Sequence, residues 1–186
     1  MITPTWRSPW SVTRILNAKW PMSPHIPSEA LERGTRVHEW TQQYEEGYAP
    51  NVEDTSIAGY CDAYKRFCYA FAPSWEHTEH PVDDGRLVHG IIDRVGYLAK
   101  QTQRVVADIK TGSPTMLEGR TRDALQLAGY AHLLNPREPE ALTRVGIYIR
   151  KTGAWKCVVY SDPTDHLHWN ALVREVTGDH YDNTTD

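Results

Sequence analysis

The apolar positions of this chain change period along its length. From Ser28 onward, Leu31, Gly34, Val37, His38 and Tyr44 recur at helical spacing, which predicts a helix ending near Gly47. Ser28 reads as its N-cap, with Glu29 and Glu32 in the first turn, where the helix dipole favours negative charge. Ile57, Tyr60, Tyr64, Phe67, Cys68 and Phe71 fall on one side of a second helix, over 56–71, which Pro73 closes. The pattern then turns to runs of branched residues. Residues 75–80, 86–98 and 104–110 read as three strands, and Thr111-Gly112-Ser113-Pro114 as a break. Residues 120–134 form an apolar helix stopped before Pro136, and 144–150 with 155–160 make a hairpin across Lys151-Thr152-Gly153. A last helix starts near Asp162-Pro163 and ends near Gly178. Before all of these, five prolines among residues 1–27 leave room for one short helix, Ser11 to Lys19. Helices on both sides of a run of strands predict an α/β domain layered around one mixed sheet.

Length and composition narrow this picture. The 186 residues suit one domain, with residues 1–27 as an irregular, partly helical extension and 179–186 as a frayed tail. At 40% hydrophobic and 24% charged residues, the chain can bury one core. Its longest apolar runs are too short to cross a bilayer, and Arg7, Arg14 and Lys19 interrupt any secretory leader, so a cytoplasmic protein without a membrane partner is expected. The three cysteines, Cys61, Cys68 and Cys157, form no CxxC pair, which argues for reduced thiols and against a disulfide framework or a four-cysteine metal site. The net charge is −4, but residues 162–186 hold six acids against one arginine, so the remainder carries +1. An acidic balance of this kind does not exclude a polyanionic partner.

Candidate chemistry begins at Asp108-Ile109-Lys110. Residues two apart in a strand share a face, so Asp108 and Lys110 project together and Ile109 turns to the core. Such a pair can hold a divalent ion beside a water, or can be a plain salt bridge. Asp93 lies in the apolar strand Gly90-Ile91-Ile92-Asp93-Arg94-Val95, where a carboxylate is costly unless paired or metal-bound. A short turn joins its strand to that of Asp108, so a hairpin sets two repelling carboxylates side by side unless a cation lies between them. The competing reading pairs Asp93 with Arg94 or Arg104. Gly90 removes a side chain near the site and lets another backbone approach. Gln126 and Tyr130, four apart on an apolar helix, share a face. They are boundary residues, or they point at the lysine or a phosphate. His38, mid-helix, is a boundary residue or a ligand. His89, on the face of Asp93 by parity, is a weaker alternative ligand, and Glu79 in the preceding strand is an oxygen ligand or a solvated acid.

Four segments taken in order, Gly34-Thr35-Arg36-Val37-His38, Gly90-Ile91-Ile92-Asp93, Asp108-Ile109-Lys110-Thr111-Gly112 and Gln126-Leu127-Ala128-Gly129-Tyr130, resemble the PD-(D/E)XK nuclease superfamily, in its RecB-like and phage exonuclease branch. The resemblance spans roughly residues 28–160, and Ser11 to Leu16 resembles the opening of small phage exonucleases of that branch. It implies a restriction-endonuclease-like core, a central mixed sheet flanked by helices in α-βββ-α-β order. It also implies a DNA exonuclease using one or two Mg²⁺ or Mn²⁺ ions in recombination, repair or phage DNA metabolism. By the family pattern His38, Asp93, Asp108 and the Ile109 carbonyl are ligands, with Glu79 as a further oxygen. Lys110 orients or deprotonates the attacking water, while Gln126 and Tyr130 position the lysine and the scissile phosphate. Arg33, Arg36, Arg120 and Arg122 flank the motifs as DNA contacts, together with Arg7, Arg14 and Lys19, and Trp6, Trp10, Trp20 and Trp40 are candidates for stacking on unpaired bases. The cluster cysteines of some members are missing, so no iron–sulfur cluster is expected. DNA, a single-strand annealing or recombination protein, and further copies of the chain are the expected partners. An endonuclease of restriction or junction-resolving type, and a catalytically silent DNA-binding subunit, remain open on the same fold.

Overall fold

The computed structural model describes residues 5–21, 27–48, 52, 54–99, 101–112 and 117–178, with side chains from residue 122 onward in the helix that begins at 117. The tail expected to fray and the side chain of Arg120 lie outside these. The chain runs β1 (Trp10–Ser11), α1 (Val12–Lys19), α2 (Ser28–Glu45), α3 (Ala58–Phe71), β2 (Ser74–Asp83), β3 (Val88–Tyr97), β4 (Val105–Thr111), α4 (Leu117–Leu134), a single 3-10 turn (Pro139–Ala141), β5 (Thr143–Ile149), β6 (Trp155–Tyr160) and α5 (Thr164–Thr177). The α/β class and the α-βββ-α-β order expected from the sequence are what the fold shows. Two local expectations are corrected. Ser28 is the first residue of α2, and its N-cap is Pro27, which offers no side-chain bond. The strand β1 was not foreseen, because two residues beside Pro9 carry no readable period.

One six-stranded mixed sheet organises the molecule. Strand β3 pairs antiparallel with β2 on one edge and with β4 on the other, β4 runs parallel to β5, and β5 forms a hairpin with β6. The parallel step from β4 to β5 is the one that needs a crossover, and α4 supplies it. Alternation along β4 divides its side chains between two cores. Val105, Ala107 and Ile109 pack with Val37, Trp40, Tyr60, Tyr64 and Phe67 of α2 and α3. Val106 packs on the opposite face with α1, α4 and α5, where Ile15, Leu16, Leu127, Ala128 and Trp169 are buried. Asp108 continues that second face. Among the described residues no helix is long and apolar enough to cross a membrane.

The pairing of β3 is incomplete on one edge. Strand β4 is in register with it only over Arg94–Gly96, against Val105–Ala107. Strand β1 pairs in parallel with Val88 and His89. Because β2 occupies the other edge along all of this length, β1 must use the edge that β4 has left. Among the described residues, 90–93 between the two have no strand partner on that side. Tyr130 of α4 and Val12 of α1 close on this gap, and Gly90 makes room for them: a Cβ there would lie 2.8 Å from Tyr130 Cε1 and 3.4 Å from Val12 Cγ2. Both neighbours are buried and cannot swing away. Gly90→Ala is therefore expected to cost about 1–3 kcal/mol of stability by overpacking. Urea unfolding of the variant checks this, and an unchanged midpoint contradicts it.

Candidate active site

The parting of β3 and β4 creates the site. Continuing their register sets Asp93 opposite Asp108, but the ladder stops one step earlier, and the side chain of Asp93 does what a backbone carbonyl would have done. Its Oδ2 accepts from Ile109 N at 2.6 Å. Both carboxylates are buried. Neither arginine considered as a partner reaches the Asp93 carboxylate: Arg94 donates to the Asp93 carbonyl at 2.6 Å, and Arg104 pairs with Glu76 at 2.7 Å.

Strand β2 contributes Glu79 through an irregularity. Pairs Thr78–Arg94 and His80–Ile92 flank it, and Glu79 itself has φ 46, a left-handed conformation costly for a residue with a side chain. At the same level β3 loses its alternation, since Ile92 and Val95, three residues apart, reach the same core. This break overturns the parity argument for His89. That ring faces away from the carboxylates, with Nδ1 2.8 Å from the Ser8 carbonyl and Trp6 stacked on it at 4.4 Å.

Helix α2 brings His38 over the gap. Its Nε2 donates to the Ile109 carbonyl at 3.1 Å, which turns Nδ1 toward Glu79 Oε1 at 3.5 Å and Asp93 Oδ2 at 3.7 Å. The Ile109 carbonyl, expected to face a metal, thus lies against the ring of a candidate ligand, with its second lone pair unused by that bond. His38, Glu79 and Asp93 each offer one ligand atom within 4.8 Å of the others. Burial alone would lower the pKa of His38, but Asp93 and Glu79 outweigh it and raise it to about 9. The proton does here what a cation would do. One imidazole nitrogen and crowded carboxylate oxygens fit a divalent ion that accepts mixed nitrogen and oxygen donors.

On the α4 side, Lys110 Nζ lies 2.6 Å from Asp108 Oδ2 and donates to Gln126 Oε1 at 3.0 Å. Gln126 Nε2 is 3.0 Å from Asp108 Oδ1 and 3.1 Å from the Tyr130 hydroxyl. One amide therefore touches the carboxylate, the ammonium and the phenol. Burial pushes Asp108 up to about 6 although Lys110 opposes it. Burial would lower the pKa of Lys110, but Asp108, Asp123 and Asp93 raise it above its usual value. In its charged form Lys110 can orient a water or a phosphate oxygen.

The sequence motifs for His38, Glu79, Asp93, Asp108, Ile109, Lys110, Gln126 and Tyr130 thus converge from five elements. Of the expected DNA contacts, Arg36 pairs with Asp54, Arg122 donates to Asn17 at 2.7 Å, and Arg33 lies over the Tyr60 ring at 5.5 Å. Three groups at the site had gone unread. Asp123, one turn before Gln126, sits near Lys110 and accepts from the Tyr148 hydroxyl at 2.5 Å. Thr41 and Glu45 follow His38 at helical spacing on the same face, and both meet the buried Arg94. That spacing was the signal available for them.

A family model for the PD-(D/E)XK nuclease superfamily matches residues 61–184, two thirds of the chain, taking in every site residue except those on α2. The chain belongs to the PD-(D/E)XK nuclease superfamily. A solved structure described as the crystal structure of SSO0001 is similar over 95% of this chain and 76% of its own, at 17% identity and a TM-score of 0.44. No curated protein matches.

The charge crowding predicts a pH dependence in chelator. A group whose folded pKa is raised binds its proton more tightly when folded, so stability falls as pH rises through the interval. For His38 the contribution is complete below pH 6.5 and is lost by about 9, and for Asp108 it is lost between 3.8 and about 6. Urea unfolding in EDTA should therefore show wild type losing stability relative to His38→Ala between pH 6.5 and 9. A constant difference across that range would contradict the assignment.

Proposed function

We propose that this chain is a divalent-metal-dependent deoxyribonuclease of the RecB-like and phage exonuclease branch, hydrolysing phosphodiester bonds from DNA ends. The observation that carries the reading is the convergence of Asp93, Asp108 and Lys110 where β3 and β4 part, with His38 and Glu79 at the same point. His38 Nδ1, Glu79, Asp93 and Asp108 are the groups that hold Mg²⁺ or Mn²⁺. The ion supplies Lewis-acid activation of water and neutralises charge on the phosphate.

The chain's own groups do the rest. Lys110, kept charged by Asp108, presents a fixed cation to the phosphoryl oxygens as negative charge grows on them. Gln126 holds that ammonium by its carbonyl and steadies Asp108 by its amide, so neither rotates away. Tyr130, bonded to the same amide, stays neutral because burial raises its pKa, and its hydroxyl remains available as a donor. Asp93 spans the gap to Ile109 and fixes the separation of the two strands. His38 on the helix, followed by the Gln126 and Tyr130 pair, supports the exonuclease branch over a restriction-type endonuclease.

Two measurements test this. Lys110→Ala should lower single-turnover cleavage by about 10²-fold or more while Mn²⁺ affinity stays within about threefold of wild type, whereas Asp108→Ala should lose both. Equal loss of ion binding in the two variants would contradict the division of labour. On an end-labelled linear duplex, its single strand and a covalently closed circle in Mn²⁺, progressive loss of linear DNA with survival of the circle is expected. Cutting of the circle makes the protein an endonuclease, and tight binding without cleavage makes it a silent subunit.

A further inference from the structure

A charged side chain that the proposed chemistry does not use lies directly behind the site. Arg94 is fully buried in β3, next to Asp93 in sequence, and reaches α2 and β2 where the strand has lost its alternation. An unpaired guanidinium in such a place would be prohibitive, and each nitrogen of this one has a partner. Nη1 donates to the Asp93 carbonyl at 2.6 Å and to Glu79 Oε1 at 3.3 Å. Nη2 donates to Thr41 Oγ1 at 2.7 Å, and Nε forms an ion pair with Glu45 Oε2 at 2.6 Å. Thr41 Oγ1 in turn donates to the His38 carbonyl at 2.9 Å. Glu45 is held from its other side by the Tyr64 hydroxyl of α3.

These bonds share a pattern. Each of the three groups gathered around the ion position is tied to the same guanidinium by one bond or by one intervening hydroxyl. Asp93 is held through its own carbonyl, Glu79 through its carboxylate, and His38 through Thr41. The three come from three different elements, β3, β2 and α2; ladder pairing sets β2 against β3, but nothing in the backbone keeps α2 in register with either. A planar fork with donors in fixed directions can fix their relative positions, whereas a flexible ammonium cannot. Glu79 needs such a hold most, because its backbone sits in a strained conformation that only its surroundings can maintain.

We propose that Arg94 is a positioning residue that preassembles His38, Glu79 and Asp93 for the divalent cation, so that its loss weakens ion binding beyond any loss of fold stability. This rests on the metal-dependent reading given above. Partners of this kind, one bond behind metal ligands, typically change affinity by 10–100-fold when removed.

The experiment is calorimetric titration with Mn²⁺ alone, on wild type, Arg94→Lys, Thr41→Val and His38→Ala, with thermal unfolding of each in EDTA. Arg94→Lys should unfold cooperatively in chelator yet bind Mn²⁺ about 10-fold or more weakly, and the same Mn²⁺ concentration should raise its Tm less than that of wild type. Thr41→Val keeps the guanidinium and removes only the bridge to His38, and should weaken binding by about threefold. Combined with His38→Ala, Arg94→Lys should cost less than it does alone, because one of the groups it holds has gone. If wild type binds Mn²⁺ and Arg94→Lys binds it equally, Arg94 is structural and the inference fails while the metal reading stands. If Arg94→Lys does not fold, unchanged binding in Thr41→Val overturns the inference. Folded wild type that binds no Mn²⁺ overturns the metal reading and this inference with it.

Discussion

Two carboxylates facing each other inside a protein are the constraint around which this molecule is arranged. Asp93 and Asp108 are both withdrawn from water on strands that would otherwise run side by side. Like charges so placed must be separated, protonated or bridged by positive charge. The structure uses all three. The strands part, burial pushes Asp108 toward its neutral form, and Lys110 and a protonated His38 stand on either side. Without positive charge the arrangement would be unfavourable, and it is the same arrangement that makes the place attractive to a divalent ion.

The two halves of the site meet this constraint differently. On the α4 side the solution is neutral and directional. Gln126 offers a donor to the carboxylate and an acceptor to the ammonium, and so pins an ion pair without adding charge. On the α2 side it is ionic and deep, where Arg94 balances Glu45 and Glu79 beneath the imidazole. The amide leaves the lysine free to face a substrate, while the buried network reaches the ion position through the groups it holds.

What was legible in the sequence followed from how local each signal is. Asp108 and Lys110 could be read together because alternation within three residues decides which way they point. Gln126 and Tyr130 could be read because a single helical turn does the same. Asp93 stood out because a carboxylate among branched residues is expensive wherever it lies. Arg94 was read only as a possible partner for its neighbour, since its real partners come from α2 and β2, and the spacing that sets Thr41 and Glu45 on the face of His38 does not say which cation meets them. His89 was misjudged because parity assumes a regular strand, and the irregularity is set by the backbone of Glu79, a residue with no sequence preference for a left-handed conformation. The strand β1 escaped because two residues are too few to show a period, and its existence depends on an edge that only the parting of β3 and β4 leaves open.

That edge has a consequence for the order in which the molecule is made. One wall of the opening over residues 90–93 is the strand that follows them, and the other belongs to the beginning of the chain. Pairing Trp10 with Val88 closes a loop that encloses three helices and a strand, so it is among the least local contacts in the fold. Contacts of that kind are entropically costly to make early and tend to form late. Strands β2 to β4 can find one another by short turns, but the mouth of the site acquires its second wall only when β1 has waited for β3 and then docked beside it.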